Sequence, residues 1–234
     1  MWYKVKKIYV WTTKVRPAIP IPTSWLLWYR PLQTNLNDAS GNGNNGSWYS
    51  GTGSFWTVSW KTGARVTTQT SWWWLSTQHV NTSLTYNWPA ISFCWWIYFT
   101  LMNTYTRHWM MSNSTSSSQT SITVWERPAD SWKINVIWLG NALRITDSMP
   151  STNTRYFICV TSNWTTIKAY LNWILVNTGT ASWTPNWWIW KLWCAMVNSW
   201  YSDNTWTEWY VRHCAVYNRA LTDAEVLQFY NNTN

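Results

Sequence analysis

A chain of 234 residues is long enough to bury a substantial core and is read as one domain with a short extension. It has no run near the roughly 18 apolar residues of a membrane span, and only 11% of its residues are charged, with Ser, Thr and Asn crowded between short apolar runs. The net charge of +9 raises nucleic-acid binding, but the excess is gathered early and no recognition helix or RNA-binding aromatic motif follows, so no nucleic-acid partner is expected.

In chain order, residues 1–23 form a basic, Pro-containing arm. Lys4, Lys6, Lys7, Lys14 and Arg16 carry its charge, Lys7 to Val10 is a short β-like run, and Pro17, Pro20 and Pro22 favour an extended linker. The alternatives for its charge are a solvated tail and contacts to phosphates. Thr12, Thr13, Lys14 and Arg16 interrupt the apolar stretch a signal peptide needs, so none is expected. The domain proper, 24–234, opens at Trp25-Leu26-Leu27-Trp28-Tyr29.

A loop rich in Asn, Gly and Ser follows from Asn35 to Gly53. Asp38 is its candidate hard-cation ligand, with Asn42 and Asn44 as oxygen donors to calcium; the competing reading is an Asx-turn in which these side chains serve only the backbone. A strand is predicted at Ala90–Cys94 with its continuation at Trp96–Phe99, then, after a Ser/Thr/Asn surface loop at Ser112–Thr120, strands at Ile122–Val124, Lys133–Ile137 and Leu143–Ile145. Arg155–Thr161, Thr165–Leu171, Ile174–Val176 and Tyr210–Tyr217 complete the set, the first three as successive hairpins. Thr222-Asp223-Ala224-Glu225 is a capping box that starts one short C-terminal helix, with Val226, Leu227, Phe229 and Tyr230 on its apolar side.

Cys94, Cys159, Cys194 and Cys214 each sit in an apolar run and lack C-x-x-C spacing. They read as small buried hydrophobes, with a disulfide among them as the alternative.

The chain has 27 Trp and 8 Gly, although glycine averages about 7% of residues and Trp is among the rarest. Four of the tryptophans follow asparagine, at Asn87-Trp88, Asn163-Trp164, Asn172-Trp173 and Asn186-Trp187, where a two-residue hairpin turn wants Asn-Gly and positive φ. UGA is read as Trp in some bacterial codes and as Gly in another. UGA-coded glycines written as Trp would produce this excess, this deficit and these positions. The alternative is a genuinely Trp-rich protein whose rings are sugar platforms, although runs such as Trp72-Trp73-Trp74 would then expose large apolar patches.

Tyr217-Asn218-Arg219-Ala220-Leu221-Thr222-Asp223-Ala224-Glu225-Val226 resembles the C-terminal signature of laminin-G-like jelly-roll domains in the concanavalin A-like lectin/glucanase superfamily. Asp38-Ala39-Ser40-Gly41-Asn42-Gly43-Asn44-Asn45-Gly46 resembles the same family's N-terminal loop, and Arg155 to Val176 its double hairpin, where the family has Gly at the positions of Trp164 and Trp173. Ile91 to Ile97 resembles its core strand, with Trp96 at a family tryptophan. The resemblance spans residues 24–231. It implies an all-β fold, a two-sheet antiparallel jelly-roll sandwich with one short C-terminal helix, used for adhesion or glycan recognition and sometimes calcium-dependent. Family members often carry an acid before the Tyr-Asn-Arg-Ala-Leu motif, but this chain reads Tyr210-Val211-Arg212-His213-Cys214.

Glycosidases need two carboxylates close together, which a strand presents at i, i+2. Of the eight acids, Asp38, Glu126, Asp130, Asp147, Asp203, Glu208, Asp223 and Glu225, only the last two are so spaced, and they fall in the helix's first turn. His79, His108 and His213 lie in no metal-ligand spacing, and no nucleophile-elbow motif is present. The expected function is a non-catalytic module binding a glycan or cell-surface polymer, located outside the cell, at its surface or on a virion. The alternative is a structural phage-tail or fibre component docked into an oligomeric assembly through the arm.

Overall fold

The computed structural model describes residues 21–33, 35–49, 54–58, 61–71, 74–77, 79–81, 85–86, 90–101, 108–112, 121–125, 133–138, 141–145, 151–163, 165–180, 188–189, 196–197 and 206–234. Arm residues 1–20, the pairs Asn87-Trp88 and Asn186-Trp187, Trp164, Cys194 and the Ser/Thr/Asn loop after Ser112 lie outside them.

The first strands are β1 (Leu26–Arg30), β2 (Ser47–Tyr49), β3 (Ser54–Val58), β4 (Lys61–Ser71), β5 (Trp74–Thr77), β6 (His79–Asn81), β7 (Thr85–Tyr86), β8 (Ile91–Leu101) and β9 (His108–Ser112). Next come β10 (Ser121–Trp125), β11 (Lys133–Trp138), β12 (Asn141–Arg144), β13 (Thr154–Ser162), β14 (Thr166–Leu171), β15 (Ile174–Thr180), β16 (Trp188–Ile189), β17 (Met196–Val197) and β18 (Trp206–Tyr217). The helix α1 (Asp223–Thr233) closes the chain. Among the described residues the protein is therefore mostly β-strand with a single short C-terminal helix.

A nine-stranded sheet runs β15-β14-β13-β8-β18-β4-β3, with β1 also on β18 and β5 on β4. A five-stranded sheet runs β12-β11-β10-β9-β17, and two small ribbons pair β16 with β7 and β2 with β6. The pairings are antiparallel.

Strand β8 shows why this sequence buries both faces of the larger sheet. Alternate residues point to opposite faces, and here both sets are apolar. Phe93, Trp95, Ile97 and Phe99 enter one core with Ile158, Val160 and Val211, which Ile134, Leu143 and Ile145 from around β11 and β12 also join. Cys94 and Trp96 enter a second core on the other face, with Phe157, Cys159, Tyr170, Leu221, Val226 and Phe229. Helix α1 covers that second face. Phe229 stacks on Phe157 at 5.6 Å, Tyr230 on Trp96 at 5.2 Å, and the Trp96 indole N–H donates to Thr233 Oγ1 at 2.7 Å.

The signature before the helix is an architectural device. Buried Ser92 accepts from the Leu221 amide at 2.8 Å and donates to the Arg219 carbonyl at 2.7 Å, tying the motif to β8. Thr222 Oγ1 accepts from the Glu225 amide at 3.3 Å while Glu225 accepts from the Thr222 amide at 2.9 Å, completing the predicted capping box. Arg219 grips the same carboxylate with both terminal guanidinium nitrogens, one at 2.7 Å. The Arg219 bond, aided by the Thr222 bonds against the cost of burial, lowers the Glu225 pKa to about 2.

Several elements differ from the sequence reading. The strand read at Ala90–Cys94 with its continuation Trp96–Phe99 runs on to Leu101, with Trp95 buried in the first core. Ser47–Tyr49 forms a strand inside the Asn35–Gly53 loop by pairing with His79–Asn81. Strands β3 to β7 and β9 carry no alternating apolar signal; β4, Lys-Thr-Gly-Ala-Arg-Val-Thr-Thr-Gln-Thr-Ser, is held by pairing with β3, β5 and β18. Cys94 and Cys159 are not independent hydrophobes. They face each other across β8 and β13 with Cα atoms 4.2 Å apart and form a disulfide, while Cys214 is buried in the first core. At the end of the arm, Ile21 packs against the second core and Pro22 is buried.

Candidate functional site

The loop after β1 is stapled by one carboxylate. Asp38 Oδ1 accepts from the amides of Tyr29 at 3.0 Å and Ser40 at 2.9 Å, and Oδ2 accepts from Ser40 Oγ at 2.8 Å and the Asn44 amide at 2.9 Å. Burial works to raise its pKa, but these bonds prevail and lower it. The amide nitrogens of Asn42 and Asn44 donate to the Leu27 carbonyl at 3.0 Å each, and Asn42 also to Leu26. Trp28 Nε1 and Arg30 hold the Asn44 carbonyl from below. The structure thus brings Asp38, Asn42 and Asn44 together, but donors occupy the carboxylate's lone pairs, and a cation would have to displace them. The residues as arranged do not fit a calcium ion.

Two concave features flank α1. At its N-terminal end, a groove of about 370 Å³ is lined by Thr161, Asn163, Thr166, Lys168, Thr222 and Asp223, a volume in the range of small-molecule sites, roughly 300–1,000 Å³. The hairpin β13–β14 and the motif before the helix build it together. Lys168 Nζ meets Asp223 Oδ1 at 2.9 Å, and Tyr170 donates to the same oxygen at 2.7 Å. The Lys168 bond first, then the Tyr170 bond, lower the Asp223 pKa. The rim presents hydroxyls, an amide, an ammonium and a carboxylate.

At the other end of α1, a cleft of about 30 Å³ is lined by Trp96, Tyr98, Arg155, Tyr210, Arg212 and Gly63. Register explains the grouping: Arg155 pairs with Tyr98 across β13 and β8, and Arg212 with Trp96 across β18 and β8. Arg155 lies over the Trp96 ring at 4.8 Å and donates to Asn234 Oδ1 at 2.7 Å. A side chain at Gly63 would meet the Val211 carbonyl oxygen at 3.0 Å. Immediately after Arg212 the register of β18 shifts, with one extra residue before Ala215, and buried His213 takes φ +50°. The Tyr29 hydroxyl bonds His213 Nδ1 at 2.7 Å, and burial pushes that phenol up to about 12 against the pull of Arg212.

Sequence reasoning named neither concavity. Its hint was the basic Arg212 standing where an acid is usual in the resembled family; the missing step was the pairing of β13 and β18 on opposite sides of β8. Asp223 and Glu225, the only acids at i, i+2, are tied separately to Lys168 and Tyr170 and to Arg219 and Thr222, so they form no acid–base pair. His79 and His108 lie in β6 and β9, away from His213 in sequence and strand. Among the described residues, no three His, Cys, Asp or Glu side chains gather as a metal site, and no helix is long and apolar enough to cross a membrane.

No protein-family model matches the sequence, and no curated protein does. Solved structures do match in fold. The binding domain of botulinum neurotoxin serotype C1 superposes with TM-score 0.71 at 14% identity, covering 91% of this chain and 53% of that one. The binding domain of botulinum neurotoxin DC in complex with SialylT gives 0.70 at 12% identity over 91% and 52%, and the same toxin's domain with rat synaptotagmin II gives 0.69 at 14% over 91% and 53%. The chain spans about half the length of these structures. Its fold is jelly-roll-like and matches that of these toxin binding domains.

Proposed function

We propose that the chain is a non-catalytic module, a laminin-G-like two-sheet jelly-roll sandwich, that binds a glycan or cell-surface polymer outside the cell. The observation that carries this reading is the groove beside the N-terminus of α1. Its hydroxyl, amide, ammonium and carboxylate groups are the donors and acceptors that sugar hydroxyls require, and its volume suits a short saccharide. The fold's likeness to toxin binding domains supports it. So does the structural engagement of Asp38, Asp223 and Glu225, which leaves no carboxylate pair among them for hydrolysis. Calorimetric titration of neutral oligosaccharides tests the reading: saturable binding weakened about tenfold by Lys168→Met is expected, and an unaltered isotherm in that variant removes the groove from the site.

The exposed tryptophans support a second proposal, that some stand at glycine codons. Asn172 and Trp173 both take positive φ, +48° and +68°, and exposed Trp25 takes +62°, a region that favours glycine. Trp28, Trp95 and Trp96 are buried and are read as genuine. The codons test this directly: UGA at positions 25 and 173 with UGG at 28, 95 and 96 is expected, and UGG at all five overturns it.

A further inference from the structure

The cleft at the far end of α1 is chemically unlike the groove. Two guanidinium groups, Arg155 and Arg212, line it, and its described lining holds no carboxylate. Burial first, then the like charge of Arg155, destabilise the protonated form of Arg212. Nε and Nη1 of Arg212 are buried without an acceptor among the described residues, and buried donors are rarely left so. Two like charges brought together at a sheet surface are costly unless an anion joins them. The free volume of about 30 Å³ exceeds the roughly 10–15 Å³ needed for one water and admits only a small group. Tyr98 and Tyr210 pack edge to face at 6.2 Å beside it; Tyr210 is buried, and half-buried Tyr98 offers the aromatic surface outside the slot.

We propose that this cleft is a carboxylate clamp for an acidic sugar residue, Arg155 and Arg212 binding the carboxylate while Tyr98, backed by Tyr210, carries the apolar face of the ring. Guanidinium forks match carboxylate oxygens in charge and planarity. The strained bulge at His213, anchored by its amide to the Pro31 carbonyl at 3.1 Å, fixes the strand just beyond Arg212, as bulges beside binding sites do. Gly63 keeps the neighbouring strand free of a side chain there. The inference rests on the glycan-binding reading but uses a separate site.

The test is calorimetric titration of the full chain with methyl β-glucuronide and methyl β-glucoside, which differ only in the carboxylate, repeated on Arg155→Gln and Arg212→Gln with circular dichroism to verify folding. The glucuronide is expected to bind at least about tenfold tighter, to weaken as salt rises, and to lose its advantage in either variant. Parity of the two sugars in the unaltered chain overturns the clamp, as does an advantage retained in both folded variants. Displacement of glucuronide by equimolar sulfate overturns the carboxylate assignment. If Arg212→Gln does not fold, Arg155→Gln and the unaltered chain decide. Binding of neutral oligosaccharides with no preference for acid leaves the glycan reading standing and defeats only the clamp; binding of no sugar defeats both.

Discussion

Trp173→Gly should make the protein more stable. Trp173 follows Asn172 at the tip of the β14–β15 hairpin, both residues have positive φ, and the ring is 44% exposed. An L side chain in the left-handed region costs roughly 1–2 kcal/mol. Glycine relieves that strain, but its freer unfolded chain gives back roughly 0.5–1 kcal/mol. The net is a gain of about 0.5–1 kcal/mol, or about 1–4 °C in Tm for a chain of this size. Urea unfolding followed by far-ultraviolet circular dichroism reads it, and Asn172 must stay, because its Oδ1 accepts from the Phe157 amide at 3.0 Å. Trp95→Ala is the contrast: that ring is buried in the first core, and its loss should cost about 3–5 kcal/mol. A Trp173→Gly variant destabilised by 1 kcal/mol or more would refute the strain argument and show that the ring's packing outweighs its backbone.

Asp38→Ala should destabilise the chain by about 2 kcal/mol, because it orphans several amides at once, whereas chelator should leave the Tm of the unaltered protein unchanged; a chelator-induced fall would restore calcium to that loop. Acid should weaken the C-terminal docking. The Glu225 pKa is lowered to about 2, so its contribution is present above the unfolded carboxyl value of about 4.3 and is lost as pH falls toward 2, by about 1 kcal/mol after solvent screening; Glu225→Gln should flatten the difference in Tm between pH 6 and pH 3. Reduction of Cys94–Cys159, which closes a separation of 65 residues, should cost about 4 kcal/mol on the chain-entropy account, seen as a lower urea midpoint in dithiothreitol.

Legibility followed the local signals. The capping box at Thr222, the hairpins after Arg155 and the apolar run around Phe93 to Phe99 announce themselves because turn chemistry, capping and periodicity are written within a few residues. Strands β4 and β5 do not, since Thr, Ser and Gln there take strand geometry only from their neighbours. The Asp38 loop was legible as chemistry but its two roles were not separable, because the choice depended on where the amides of Tyr29 and Asn44 point. The clamp was invisible: Arg155 and Arg212 are 57 positions apart in sequence and meet only because β8 lies between their strands.

As the glycan-binding module proposed above, the chain should bind sugar without cutting it. Saturation-transfer NMR of the full chain with a panel of acidic and neutral oligosaccharides tests it most directly, since one sample reports both contact and cleavage. The account predicts saturable transfer to sugar protons with every oligosaccharide recovered intact. Absence of transfer across the panel, or the appearance of shortened products, would contradict it.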